Sequence, residues 1–274
     1  MNRPSFAHGK SPMIVAVIKE NTANAAIRKI RESEFAGARG IDLHVSCLRS
    51  EDRTVEGLRK IISSTTRPVL ALNYDTHNYT EEERMDSLYL AAQAGAAAVD
   101  MQGYTFDRPS KEAFVDDEFV PTGMEFLLDV RPKEVSLKPE VIEKQKAFID
   151  KIHALGAEVL CSVHFWTVLT KEQLEAVARF ERSKGADIVK MVATCTDVHQ
   201  VPAAVDATIY LNEKLDFPFS YHMNGKNGII TRKILPLFGS HIMFCNVDYN
   251  SETADAEQLH VRSMVDAYRA LGEL

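Results

Sequence analysis

Eight short runs of apolar, largely β-branched residues recur along the chain, and a stretch with helical periodicity follows each one. The runs are 13–19, 40–48, 68–74, 96–104, 157–165, 186–194, 217–224 and 241–248. The helical stretches are 22–36, 51–64, 80–94, 138–155, 170–184, 198–214, 230–238 and 255–272. Strands buried on both faces read as near-continuous apolar runs, and their regular alternation with helices builds a parallel sheet. Eight such units predict an α/β fold, a (β/α)8 TIM barrel. An open doubly wound sheet is the competing architecture. It would bring a glycine fingerprint after its first strand, where this chain has KENTANAA at 19–26.

The 274 residues suit one barrel domain spanning 13–274, preceded by a polar N-terminal tail over 1–12 that lacks a signal-like apolar core. Thr80 ahead of three glutamates and Thr170 ahead of KEQL predict capped helix starts. One connection is too long for a simple barrel. From about 105 to 137 the chain inserts a loop carrying Phe114, Phe119, Phe126 and Leu127. It follows the fourth strand, so it belongs to the catalytic face of a barrel, as a lid or as a subunit contact.

No apolar stretch reaches the length of a membrane span, and a net charge of −7 with scattered Lys and Arg leaves no basic stripe for nucleic acid. Neither a membrane nor a nucleic acid is an expected partner. Cys47, Cys161, Cys195 and Cys245 show no CxxC spacing and read as small buried hydrophobes of a reducing compartment, which fits a cytoplasmic protein.

Catalytic groups of barrels project from strand C-terminal ends. Those ends offer Asp42 and His44, Tyr74, Asp100 and Gln102, His164, Lys190, then His222 and Asn224, with Arg232 following. Lys190 lies inside the apolar run ADIVKMVAT. A lysine taken out of water finds a partner or gives up its charge, and the uncharged amine is the nucleophile of Schiff-base enzymes. The alternative is a lysine that reaches from the strand end to solvent. His164, in CSVHFW, has the chemistry for proton transfer, although a strand histidine is often structural. On adjacent strands the two are expected at similar height. His44, His222 and Asp42 suit zinc or iron by ligand type, but no supporting spacing exists, so no metal and no cofactor is expected. Phe165 and Trp166 read as packing residues, and Met191, Met223 and Met243 as core.

The segments SVHF, LTKEQLEAVARFERSKGADIVKMVAT, MNGKNGIITR and FGSHIMF resemble the type I 3-dehydroquinate dehydratase family, most strongly over 157–251. The resemblance implies that Lys190 forms an imine with a substrate ketone. It implies that His164 moves the α-proton and protonates the leaving hydroxyl, that Arg232 binds the substrate carboxylate, and that Ser251 belongs to a closing loop. The family's strand-two ExR reads Asp42-Leu43-His44 here, its strand-three arginine falls on Tyr74, and its histidine-orienting glutamate falls on Gln102. Two strand-seven methionines fall on His222 and Asn224 if no gap is inserted, whereas a one-residue gap keeps Met223 as one of them; the lid glutamine falls on Asp255, and HDF reads His164-Phe165-Trp166. The imine and proton-transfer groups are kept while the groups that read ring hydroxyls are replaced, which implies a dehydratase for a carboxylated hydroxy-ketone other than 3-dehydroquinate. A Schiff-base aldolase and a non-catalytic binding protein on the same fold are the alternatives. The expected partners are that small molecule and a second copy of the chain.

Overall fold

The computed structural model describes residues 4–75, 77–108, 120–130, 133–248 and 256–274. The chain divides into two compact units. The first comprises Met1–Asp100, Lys151–Glu158 and Ile242–Leu274, and the second Met101–Asp150 and Val159–His241.

The first unit carries β1 (Met13–Ile18), α1 (Ala23–Phe35), β2 (Gly40–His44), α2 (Val55–Ile62), β3 (Val69–Leu72), α3 (Glu81–Ala94), most of β4 (Ala98–Gln102), β8 (Ile242–Asn246), β9 (Leu259–His260) and α8 (Val261–Ala270). Its strands pair in parallel in the order β4-β3-β2-β1-β8-β9. All six residues of β1 are buried, as an all-parallel strand covered on both faces requires. Val261, Met264, Val265 and Tyr268 of α8 recur at helical spacing and are the residues it buries. They join Ile14, Ala16, Ile30, Ile41 and Leu58 in one apolar core. Threonines start the helices. Thr22 and Thr54 cap α1 and α2, and Thr80 forms a reciprocal capping box with Glu83 at α3. Near the N-terminus, Phe6 and Ala7 are buried, and their N–H groups donate to Glu158 at 2.7 and 2.9 Å.

The second unit carries α4 (Pro139–Ala154) up to Asp150, most of β5 (Glu158–Phe165), α5 (Lys171–Ser183), β6 (Ile188–Thr194), α6 (Val201–Lys214), β7 (Phe219–Asn224) and α7 (Ile229–Ile234). Here β5, β6 and β7 pair in parallel. Thr170 makes the second capping box, with Gln173. The strand and helix order is that of a (β/α)8 barrel, the expected fold class.

Several boundaries differ from the sequence expectation. The run 40–48 is strand only to His44, and Val45–Cys47 turns as a 3-10 helix. The last helix begins at Val261, because Leu259–His260 extends the sheet beside β8. The stretch 230–238 breaks after Ile234 into a 3-10 turn containing Pro236, and left-handed Gly239 ends it. Trp166 is 69% exposed and does not pack, whereas Phe165, Met191, Met223 and Met243 are buried. None of the four cysteines is in a disulfide. Of the loop's large apolar residues, Phe114 and Phe119 lie outside the described residues, Phe126 is half-buried and Leu127 is fully buried. Among the described residues no helix is long and apolar enough to cross a membrane.

Candidate active site

Register in the second unit sets the centre. Lys190 pairs with Ser162 on one side and Ser220 on the other. His164 and His222 both pair with Val192, two residues further along. Side chains two apart on a strand share a face, so the lysine sits one layer deeper than both imidazoles, flanked by two buried serines. Lys190 and His164 were expected at similar height; in register His164 stands two residues further along. Lys190 and His222 are both buried.

His164 is held by a residue the sequence did not reveal. Its Nδ1 lies 2.7 Å from Oε2 of Glu134, and its backbone N–H donates to the same oxygen at 3.2 Å. A carboxylate on Nδ1 fixes that nitrogen as N–H and leaves Nε2 to exchange a proton. Glu134 lies in the long connection after β4, with a positive φ of 46°, a backbone state that non-glycine residues rarely adopt. Neighbouring contacts hold it there. Ser136 N–H donates to Gly103 carbonyl, and Gly103 N–H donates to Ser162 carbonyl on β5. Buried Asp107 accepts from Ser136 Oγ and Lys138 Nζ, both at 2.7 Å. Gln145 on α4 donates to the carbonyls of Gly103 and Thr105. Gly103 is required by contact: a Cβ there would lie 2.6 Å from the Glu134 carbonyl oxygen. The histidine-orienting carboxylate is thus supplied by Glu134. Gln102, where the resemblance placed that group, is buried at the end of β4 and accepts from Tyr104 Oη at 3.0 Å.

Arg232 on α7 is buried, and its guanidinium donates to Oδ1 of Asn224 at the end of β7. His222 feels Arg232, Lys190 and His164, three groups that are positive when charged. Burial first, and then those neighbours, hold its imidazole well below the ordinary histidine value.

The first unit gathers other polar groups at its own strand ends. Asp42 and His44 share a face of β2, with His44 Nε2 3.7 Å from Asp42 Oδ2. Among the described residues, buried Asp42 Oδ1 has no hydrogen-bond partner. Tyr74 donates its hydroxyl to buried Asp100 on β4. Ser251 and Asp255 lie outside the described residues. Among the described residues no three His, Cys, Asp or Glu are grouped to hold a metal ion.

A separate polar cluster lies between β5 and α5. Glu181 and Lys184 form an ion pair of 2.8 Å with side chains no more than 1% exposed, and Cys161 Sγ donates to the same carboxylate at 3.0 Å.

Fold and site together define a (β/α)8 protein with a lysine buried beneath two imidazoles. The family model of type I 3-dehydroquinase matches residues 127–274, more than half of the chain and the whole of this centre, and the chain belongs to that family. A 3-dehydroquinate dehydratase of Alkaliphilus oremlandii is 32% identical over 141 residues, which is 50% of this chain and 54% of that protein. The bifunctional 3-dehydroquinate dehydratase/shikimate dehydrogenase of Arabidopsis thaliana is 22% identical over 94% of this chain and 37% of its own length. The chain thus spans about half the length, or less, of these curated relatives. Among solved structures, the 3-dehydroquinate dehydratase of Geobacillus kaustophilus superposes with a TM-score of 0.72 at 16% identity, covering 96% of this chain and 93% of that one. The type I enzyme of Clostridium difficile, solved with covalently modified comenic acid, gives 0.73 at 15% identity, covering 97% and 94%. At such identities these two establish the fold.

Proposed function

We propose that the chain is a dehydratase that works through an imine on Lys190, with a carboxylated hydroxy-ketone other than 3-dehydroquinate as substrate. The observation that carries the reading is the buried lysine between Ser162 and Ser220, one layer beneath a histidine whose Nδ1 is fixed by Glu134. The Lys190 amine attacks the ketone and water leaves, giving a protonated imine that withdraws electrons from the neighbouring carbon. His164 Nε2 takes the α-proton. The resulting enamine expels the β-hydroxyl, which receives the proton back from the imidazolium and departs as water. Hydrolysis of the imine then releases the product. Glu134 acts as a positioning residue, and Arg232, already steadied by Asn224, grips the carboxylate.

Asp42, His44, Tyr74, Gln102, His222, Asn224, Ser251 and Asp255 are the substrate-reading groups of this proposal. Aspartate, histidine and tyrosine in place of glutamate and two arginines leave hydrogen bonds of 3-dehydroquinate unmade, and such losses discriminate strongly. The reading also takes the protein as a single barrel domain working as a cytoplasmic homodimer, which gel filtration and cell fractionation test.

The central experiment is borohydride trapping with 3-dehydroquinate and a panel of keto acids, followed by peptide mass mapping. An adduct on Lys190, lost in Lys190→Ala, is the expected result. Undiminished turnover in Lys190→Ala sinks the imine mechanism. Efficient dehydration of 3-dehydroquinate, with kcat/KM of about 10⁴ M⁻¹s⁻¹ or more, overturns the specificity part.

A further inference from the structure

We propose that the buried Glu181–Lys184 pair positions the proton-transfer histidine, acting on it through Gly103 and Glu134. The inference rests on the role of His164 given above and extends it to two side chains on the opposite face of β5.

Along β5, Cys161 and Val163 alternate with Ser162 and His164, so the two sets point to opposite faces of the strand. Glu181 reaches the Cys161 face from α5. Its side chain is fully buried, and both carboxylate oxygens are engaged. Oε1 accepts from Lys184 Nζ at 2.8 Å, and Oε2 accepts from Cys161 Sγ at 3.0 Å. Oε1 also packs on Gly103. A Cβ on that glycine would lie 3.3 Å from Glu181 Oε1, 2.7 Å from Val163 Cγ1 and 2.6 Å from the Glu134 carbonyl oxygen. Glu181, β5 and the Glu134 turn therefore converge on one point, where any side chain would clash. Hydrogen bonds join Gly103 to the same parts. Its N–H donates to the Ser162 carbonyl, and its own carbonyl accepts from Ser136 N–H. From this junction the Glu134 side chain turns to His164, accepting its backbone N–H and lying 2.7 Å from Nδ1.

A glutamate with a φ of 46° keeps that backbone state only where its surroundings over-determine it. Glu181 and Lys184 are part of those surroundings. A glutamate and a lysine with side chains no more than 1% exposed carry a desolvation penalty that well-packed apolar residues of similar volume avoid. What the ions add is a single geometry. Two hydrogen bonds fix the Glu181 carboxylate, and its oxygen sits closer to Gly103 than a methyl group would rest. The Lys184 ammonium also offsets the negative charge that the carboxylate would otherwise present to the Glu134 carbonyl oxygen, which faces the same point.

The test replaces the pair without stranding a charge. Glu181→Leu/Lys184→Met removes both ions and nearly keeps their volume, so its Tm is expected to stay close to wild type. The first readout is the His164 ring, followed by ¹⁵N NMR without substrate at a pH where the ring is neutral. In the wild type the proton sits on Nδ1, against Glu134. The paired variant is expected to show a mixture of Nδ1–H and Nε2–H tautomers. The second readout is deuterium uptake at the α-carbon of 3-dehydroquinate and of pyruvate, per imine trapped by borohydride. It is expected to fall by about 10-fold, for a displacement well below the roughly 1 Å that costs on the order of 10²-fold. Glu181→Gln/Lys184→Met keeps a flat group against Gly103 and is expected to recover most of both signals. A pair that serves stability alone would change Tm and leave the tautomer as it is. Wild-type tautomer and uptake in both folded variants overturn the inference and leave the imine reading standing, and so does a loss that merely follows Tm from one variant to the other. A wild-type protein that traps neither ketone at Lys190 overturns the imine reading, while the tautomer still decides this inference.

Discussion

Gly103→Ala tests whether the His164–Glu134 contact matters, without touching either residue. A methyl group on residue 103 would lie 2.6 Å from the Glu134 carbonyl oxygen and 2.7 Å from Val163 Cγ1, against an ordinary contact that begins at 3.4 Å. Relief therefore needs a retreat of about 0.8 Å by the Glu134 backbone, or a similar one by the strand residue that precedes His164. Neither neighbour is the loose end of a flexible side chain. A retreat of that size along the 2.7 Å bond between His164 and Glu134 stretches it to about 3.5 Å, the limit of hydrogen bonding. Overpacking of this kind costs about 1–3 kcal/mol of stability. A misplacement approaching 1 Å in a catalytic group costs on the order of 10²-fold in rate. The assay is α-carbon deuterium exchange together with thermal unfolding, run beside Glu134→Gln, which removes the carboxylate charge and leaves the backbone alone. Both variants should exchange slowly, and only Gly103→Ala should lose much stability. A folded Gly103→Ala protein that exchanges at the wild-type rate refutes the reasoning.

His164→Ala should still form the imine but lose roughly 10²–10⁴ in turnover; a borohydride adduct without α-exchange is the signature, and exchange at the wild-type rate assigns the base to another group. Lys184→Met leaves Glu181 buried without its partner and should destabilise the protein by about 3–5 kcal/mol, read as a fall in the denaturant midpoint, with a neutral result showing that the carboxylate is protonated or rehydrated. Because the folded chain holds His222 well below 6.5, the unfolded chain binds the extra proton. Stability is full above about pH 6.5 and falls as pH drops from there toward the depressed folded value. His222→Leu should flatten Tm against pH across that window, and an unchanged slope assigns the acid sensitivity elsewhere.

Much of this was legible before any coordinates. Thr80 and Thr170 announce their helices because a capping box is written in four consecutive residues. Lys190 stands out because apolar residues flank it on both sides along the run. The relative height of Lys190 and His164 was not legible, since strand starts are uncertain by a residue or two and that error exchanges His164 for Ser162. Glu134 escaped for a different reason. It sits in a non-periodic stretch 30 residues from its histidine, in a backbone state that side chains seldom adopt, and only the alternation of Val135 and Leu137 hinted at buried extended chain. Trp166 misled because an indole beside a strand end is expected to be covered. The short β9 was hidden within a stretch whose later part is helical.

The clamp around Asp107 has a consequence for how this chain can vary. Asp107 is joined to Ser136 and Lys138, and Gln145 holds the carbonyls of Gly103 and Thr105. The excursion between 107 and 136 is therefore tied at its neck, like a purse closed by a drawstring. The knot keeps Glu134, close to it, beside His164. Substitutions beyond the knot therefore act on the proton-transfer centre only through it, whereas Met124, Leu127 and Val130, buried within the excursion, carry a packing cost of their own.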